Sequence, residues 1–268
     1  MDYILYLSVG ALAGFLSGLF GLGGGIIIVP ALIFVFTANG LPIEVVTHLA
    51  IGTSLATIIV TSIASTLTHH QKGSVLWDLT RWLIPGLLLG SVLGGLLAAS
   101  LSGSTLQLFF GTLMIIVASQ LVVSPDERGS KNPGTLLLGI AGIFIGSLSS
   151  LLGIGGGTLT TPFLTSIGTK IRQAVATSAA CGLPIAIAGA ITYLFSGLSN
   201  ELVPEGSLGY IFIPAWLGIV LTSMPFARVG ALLAHRINER RLKQLFAGII
   251  LILGVRLIWL NALVILGN

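Results

Sequence analysis

Two runs of three glycines, Gly23–Gly25 and Gly155–Gly157, interrupt apolar stretches of a 268-residue chain. The chemistry they offer is that of bare backbone. Without a Cβ, glycine lets an oxyanion approach the main-chain N–H groups directly. A helix that restarts after such a break has first-turn N–H groups with no intrahelical partner, and the helix dipole adds positive potential at the same end. Together these make an anion cradle that needs no basic side chain. Downstream, Thr53-Ser54 and Thr177-Ser178 set paired hydroxyls in otherwise apolar segments. Such hydroxyls can donate to an oxyanion without adding charge. They can equally bond back to a carbonyl of their own helix, or hold two helices together.

The glycine runs belong to a longer repeat. Gly14, Ser17, Leu19, Gly21, Gly23, Gly24, Gly25 and Pro30 return 132 residues later as Gly146, Ser149, Leu151, Gly153, Gly155, Gly156, Gly157 and Pro162. Ala50–Ser54 is echoed by Ala174–Ser178. Two hydrophobic helices broken alike, one in each half of a chain, point to the binding site of a transporter. Scattered glycines such as Gly90, Gly94, Gly103 and Gly111 read instead as close helix packing. A nucleotide loop is excluded, since no Gly-Lys-Ser/Thr follows either run.

The elements that must position these residues follow from composition. Hydrophobic residues make up 54% of the chain, charged residues 7%, and the mean hydropathy is +1.06. A soluble domain carries about 25% charged residues, so this chain belongs in a membrane. Lipid offers the backbone no partners, which leaves helices or a closed barrel. The apolar runs are too long and too uniform for barrel strands. The expectation is an all-α bundle with segments near 3–20, 25–37, 45–67, 82–100 and 104–123, then 134–152, 157–167, 174–196, 208–228 and 244–266. Residues 1–128 form the first transmembrane repeat and 133–268 the second, in a single membrane domain. The opening segment lacks the basic start and cleavage site of a signal peptide. The lone Cys181 allows no intramolecular disulfide.

Lys and Arg in short loops mark the cytoplasmic side. If the chain turns back at each glycine break, one side holds Lys72, Arg81, Arg128, Lys131, Lys170, Arg172, Arg228, Arg236, Arg240, Arg241 and Lys243. The other side then holds no Lys or Arg. If the breaks are only kinks, the same residues fall on both sides. Turning back therefore predicts two inverted repeats, each a glycine-broken helical hairpin plus three spanning helices, with both termini extracytoplasmic. The second arm of each hairpin is short, and the chain does not say whether it spans fully.

No Asp or Glu falls in a span centre, so a carboxylate relay is missing. His69, His70 and His235 fall in cytoplasmic loops. His48 opens the third segment and reads as an interfacial residue. Arg256 either snorkels to the nearby interface or faces the bundle interior. No Ser/His or metal constellation within the membrane supports an enzyme.

The glycine phrase Gly18–Gly25 with Pro30, its echo at Leu151–Pro162 and the Thr-Ser elements resemble the sulfite exporter TauE/SafE family of membrane transporters. The resemblance covers essentially the whole chain. It implies transport of sulfite, organosulfonates or related small anions, with the two glycine turns near the substrate path. It also implies about eight spans, where the charge pattern favours three spans and a hairpin per half. Thr158 replaces Ile26 of the first repeat and adds a hydroxyl to the second turn. The expected binding residues are thus Gly23, Gly24, Gly25, Thr53, Ser54, Gly155, Gly156, Gly157, Thr158, Thr177 and Ser178. The expected mechanism is alternating access between the halves in the plasma membrane; a channel-like uniporter and a structural subunit are the alternatives. Neither a cofactor nor a nucleic-acid partner is expected. The expected partners are a small anion, the lipid bilayer and, as a candidate, a second copy of the chain.

Overall fold

The computed structural model describes residues 2–20, 24–122, 133–234 and 247–259. The described chain forms α1 (Asp2–Phe20), α2 (Gly25–Ala38), α3 (Ile43–Gln71), α4 (Trp77–Ser100) and α5 (Gly103–Val122). These are followed by α6 (Thr135–Leu152), α7 (Gly157–Ser166), α8 (Ile171–Gly197), strands β1 (Ser207–Leu208) and β2 (Ile211–Phe212), and α9 (Ile213–Ala234). A last helix, α10, runs from Ala247 to Trp259. Helices α3, α4, α6 and α8 are long and apolar enough to cross a membrane. The fold is an all-α polytopic bundle, and the short second helix followed by a long third one in α1–α3 recurs in α6–α8. Gly23, the seam after residue 128, the basic run Arg236–Lys243 and residues 260–268 lie outside the described residues.

The corresponding helices α3 and α8 form the centre. In their apolar stretches 78% and 67% of residues are buried, against 44% in α4 and in α6. They run antiparallel: Gly52 packs beside Tyr193, Leu55 beside Gly189 and Ser62 beside Gly182. Around them the outer pairs are exchanged between halves, α1 lying along α9 and its counterpart α6 along α4.

Small residues make these exchanged contacts possible. A Cβ on Gly14 would run into the backbone of Ser223, and one on Gly146 into that of Leu87. Gly90 and Gly94 press in the same way on Ile143 and Ser147 of α6, as their spacing predicts. In lipid, where apolar side chains gain nothing by leaving solvent, such main-chain contact supplies the packing that holds helices together. Tyr6, Phe36 and Phe212 add an edge-to-face cluster with centroids 5.6 to 6.3 Å apart, joining α1, α2 and the approach to α9.

The apolar run expected from 208 does not begin as a helix. Ser207 and Leu208 pair antiparallel with Phe212 and Ile211, and α9 starts at Ile213. The turn depends on Gly209, whose φ of 54° is left-handed and whose missing side chain admits the carbonyl of Leu194.

Candidate functional site

Both glycine breaks are built alike where they are described. Helix α6 ends at Leu152, and Gly153 caps it in the left-handed conformation, with φ 68°. Its neighbour Ile154 donates its N–H back to the carbonyl of Ser149 at 2.9 Å. The chain restarts with Gly156 as the N-cap of α7, just as Gly24 is the N-cap of α2, and neither helix start has a side-chain cap. Each start thus exposes first-turn N–H groups to whatever lies before it.

The two breaks meet. A Cβ on Gly25 would lie 2.5 Å from the carbonyl oxygen of Gly153 and 3.0 Å from Cα of Ile154. Helix α3 crosses this junction. Its Ser54 hydroxyl donates to the Gly153 carbonyl at 2.8 Å, and its Ile58 covers Gly155. On the other flank, a Cβ on Gly156 would lie 2.8 Å from the N of Gly182 and 2.9 Å from the carbonyl of Ser178 in α8. Gly24, Gly25, Gly155, Gly156 and Gly157 are all buried.

The paired hydroxyls prove to be engaged. Thr53 Oγ1 accepts the N–H of Phe212 at 2.9 Å, and Thr177 Oγ1 accepts the N–H of Leu76 at 3.0 Å. Each threonine therefore receives the chain just ahead of a helix in the opposite half, α9 in one case and α4 in the other. Ser178 shares a 2.8 Å hydrogen bond with Thr161 and donates to the Val175 carbonyl at 2.9 Å. Thr57 donates back to the Thr53 carbonyl at 2.9 Å, the helix-internal alternative left open by sequence. A hydroxyl that accepts keeps its own proton to donate, so Thr53 and Thr177 retain donor capacity. Thr158 is buried at the start of α7.

Three further hydroxyls were not singled out by sequence. Ser149, Ser150 and Thr160 are fully buried on either side of the second break, and their oxygens have no partner among the described residues. An unsatisfied buried hydroxyl costs about 1–3 kcal/mol, which makes three around one glycine turn notable. Ser150 Oγ sits 2.8 Å from where a Cβ on Gly189 would be and 3.3 Å from one on Gly95. The only sequence signal was the place of Ser149 in the repeat, opposite Ser17.

Away from this junction, a pocket of about 400 Å³ opens between the α3–α4 and α7–α8 connections, lined by Gly73, Ser74, Lys170, Ile171, Arg172 and Gln173. Arg256 points outward, its guanidinium 5.3 Å from the ring centroid of Phe34. His48 is buried, at 5% exposure, beside the last turn of α4.

A family model described as sulfite exporter TauE/SafE matches residues 6–257. The chain belongs to that family. It is 40% identical over 256 residues to a protein of Haemophilus influenzae named "Probable membrane transporter protein", covering 95% of this chain and 97% of the relative. A Methanocaldococcus jannaschii protein of the same description, MJ0441, is 28% identical across 94% of this chain and 93% of its own. YunE of Bacillus subtilis, likewise named a probable membrane transporter, is 27% identical across 97% and 98%. No solved structure matches the chain. This TauE/SafE protein is a multi-pass membrane transporter, and its glycine breaks fall within the matched region.

Proposed function

We propose that this TauE/SafE protein moves a small sulfur-containing anion, of the sulfite or organosulfonate type, by alternating access between two inverted halves, residues 1–128 and 133–268. Backbone N–H groups at Gly23–Gly25 and Gly155–Gly157 bind the oxyanion, and the hydroxyls of Thr53, Thr158 and Thr177 complete the cage, while Ser54 and Ser178, whose protons go to the Gly153 and Val175 carbonyls, hold its walls in place. Ser149 and Thr160 join them as donors. The observation that carries this reading is the contact of Gly25 with Gly153 and Ile154, because it brings the uncapped start of α2 against the second break, three residues ahead of the uncapped start of α7 at Gly156. Positive helix ends and unpaired hydroxyls there favour an anion without any buried cation.

Inverted halves are supported by the opposite directions of the corresponding helices α3 and α8. They are supported also by the pocket that joins Ser74 to Lys170. If the glycine breaks were kinks, those two connections would lie on opposite faces. Cytoplasmic placement of that pocket follows from its Lys and Arg.

The test is flux of sulfite, sulfate, thiosulfate, taurine, sulfoacetate and simple carboxylates in vesicles containing the purified protein. Saturable movement of sulfite or a sulfonate is expected. Carboxylate flux with no response to any sulfur oxyanion would refute the substrate class.

A further inference from the structure

His48 is the sole buried side chain among the described residues that can take a positive charge. The described Lys, Arg, Asp and Glu side chains for which burial is given are all exposed. Its ring stacks on Tyr210 with centroids 5.1 Å apart and an interplanar angle of 30°. Nε2 lies 3.1 Å from the carbonyl oxygen of Ala98 at the end of α4. That carbonyl can only accept, so Nε2 carries the proton and Nδ1 holds the lone pair. Nδ1 is buried and has no partner among the described residues. A neutral ring bracing α4 would need only the first of these two nitrogens.

The groups facing the ring are uncharged. On α3, Thr47 is held by Gln107 of α5 at 2.8 Å, and Glu44, one turn earlier, is exposed. Helix α4 offers the Ala98 carbonyl, and the β1–β2 turn offers Tyr210. The Tyr210 hydroxyl accepts from Asn200 Nδ2 at 2.9 Å, and Tyr193 of α8 stands edge-on to its ring.

Tyr210 also links the ring to the glycine junction. Its carbonyl packs on Gly52, and two residues on, Phe212 donates its N–H to Thr53. Ser54, the next residue of α3, holds the Gly153 carbonyl of the second glycine turn. Along α3, His48 and Ser54 are separated by about 9 Å, six residues at about 1.5 Å each. An anion drawn into so apolar an interior is strongly unfavourable unless charge is compensated. We infer that His48 is a proton-binding site, taking the proton at Nδ1 and coupling its movement to that of the anion. This rests on the anion reading above.

The test compares wild type with His48→Gln, whose amide can still donate to the Ala98 carbonyl but cannot take a proton. Sulfoacetate is the probe, because its own charge is constant through the neutral range and does not mimic coupling. One pH unit across the vesicle and a tenfold anion ratio represent nearly the same free energy. One proton balances only one of the two charges of sulfoacetate, so with the membrane potential held at zero wild type should approach about tenfold accumulation under a gradient of about one pH unit, and His48→Gln about none. Equal gradient-driven accumulation in both proteins, or none in wild type despite exchange at equal pH, overturns the coupling. The proton site is also read with no anion present. In histidine-labelled protein, the resonance missing from His48→Gln should change from unprotonated to protonated Nδ1 as the pH is lowered. An invariant resonance overturns the site. A titrating His48 in a protein that moves no oxyanion supports the proton site and removes only the anion reading.

Discussion

Thr53 Oγ1 accepts the backbone N–H of Phe212 at 2.9 Å, so a helix of the first half holds the chain entering α9 of the second. Thr177 does the same in reverse for Leu76 and α4, at 3.0 Å. The matched threonines thus act as reciprocal clasps between halves, whatever else their hydroxyl protons do.

Thr53→Val and Thr177→Val keep the shape but leave a part-buried N–H unpaired. Each should lower stability by about 1–3 kcal/mol, read as an earlier thermal transition in detergent. Melting at the wild-type temperature would mean that the clasps contribute nothing and would return both residues to a purely binding role.

Gly155 and Gly156 should part company under the same small change. A Cβ on Gly155 finds Ile58 at an ordinary 3.4 Å, so Gly155→Ala should fold normally while crowding the anion and cutting flux. The Gly156→Ala methyl meets the Gly182 backbone at 2.8 Å and should push α7 from α8, destabilising the protein by about 1–3 kcal/mol. Full flux through folded Gly155→Ala would argue against the glycine cradle.

Ser149→Ala and Thr160→Val remove hydroxyls that have no partner among the described residues. Stability should stay level or rise slightly, since no hydrogen bond is lost. The stabilisation that sulfite gives in thermal melts should shrink. Unchanged sulfite stabilisation in both variants would exclude these residues from the anion's surroundings.

Cysteines at Lys72 and Lys170, both exposed, check the direction of the chain. An impermeant thiol reagent should label the two from the same face of the membrane. Labelling from opposite faces would restore the kinked-helix topology and end the inverted-repeat reading.

Much of the architecture was legible because lipid imposes simple rules. Runs of apolar residues had to be helices, and the expected segments fall on α1–α8 within a few residues. The hairpin before α9 was not legible: Leu208–Phe212 is as apolar as the helix after it, and only contact between Gly209 and the Leu194 carbonyl selects a turn there. The burial of His48 was not legible for a related reason. Nothing near a histidine at the start of a span signals that Tyr210, far away in sequence, stacks on its ring.

By itself the sequence determined the class of protein, its duplication and the places where the helices break, because hydropathy and glycine act locally on the backbone. Tertiary structure decided which of those breaks touch, which hydroxyls are already committed, and which are buried without partners. Those outcomes depend on groups far apart in sequence, such as Ser54 of α3 and the turn at Gly153, 99 residues on. Local pattern carries no record of such pairings. They arise only when small residues let the helices close on one another.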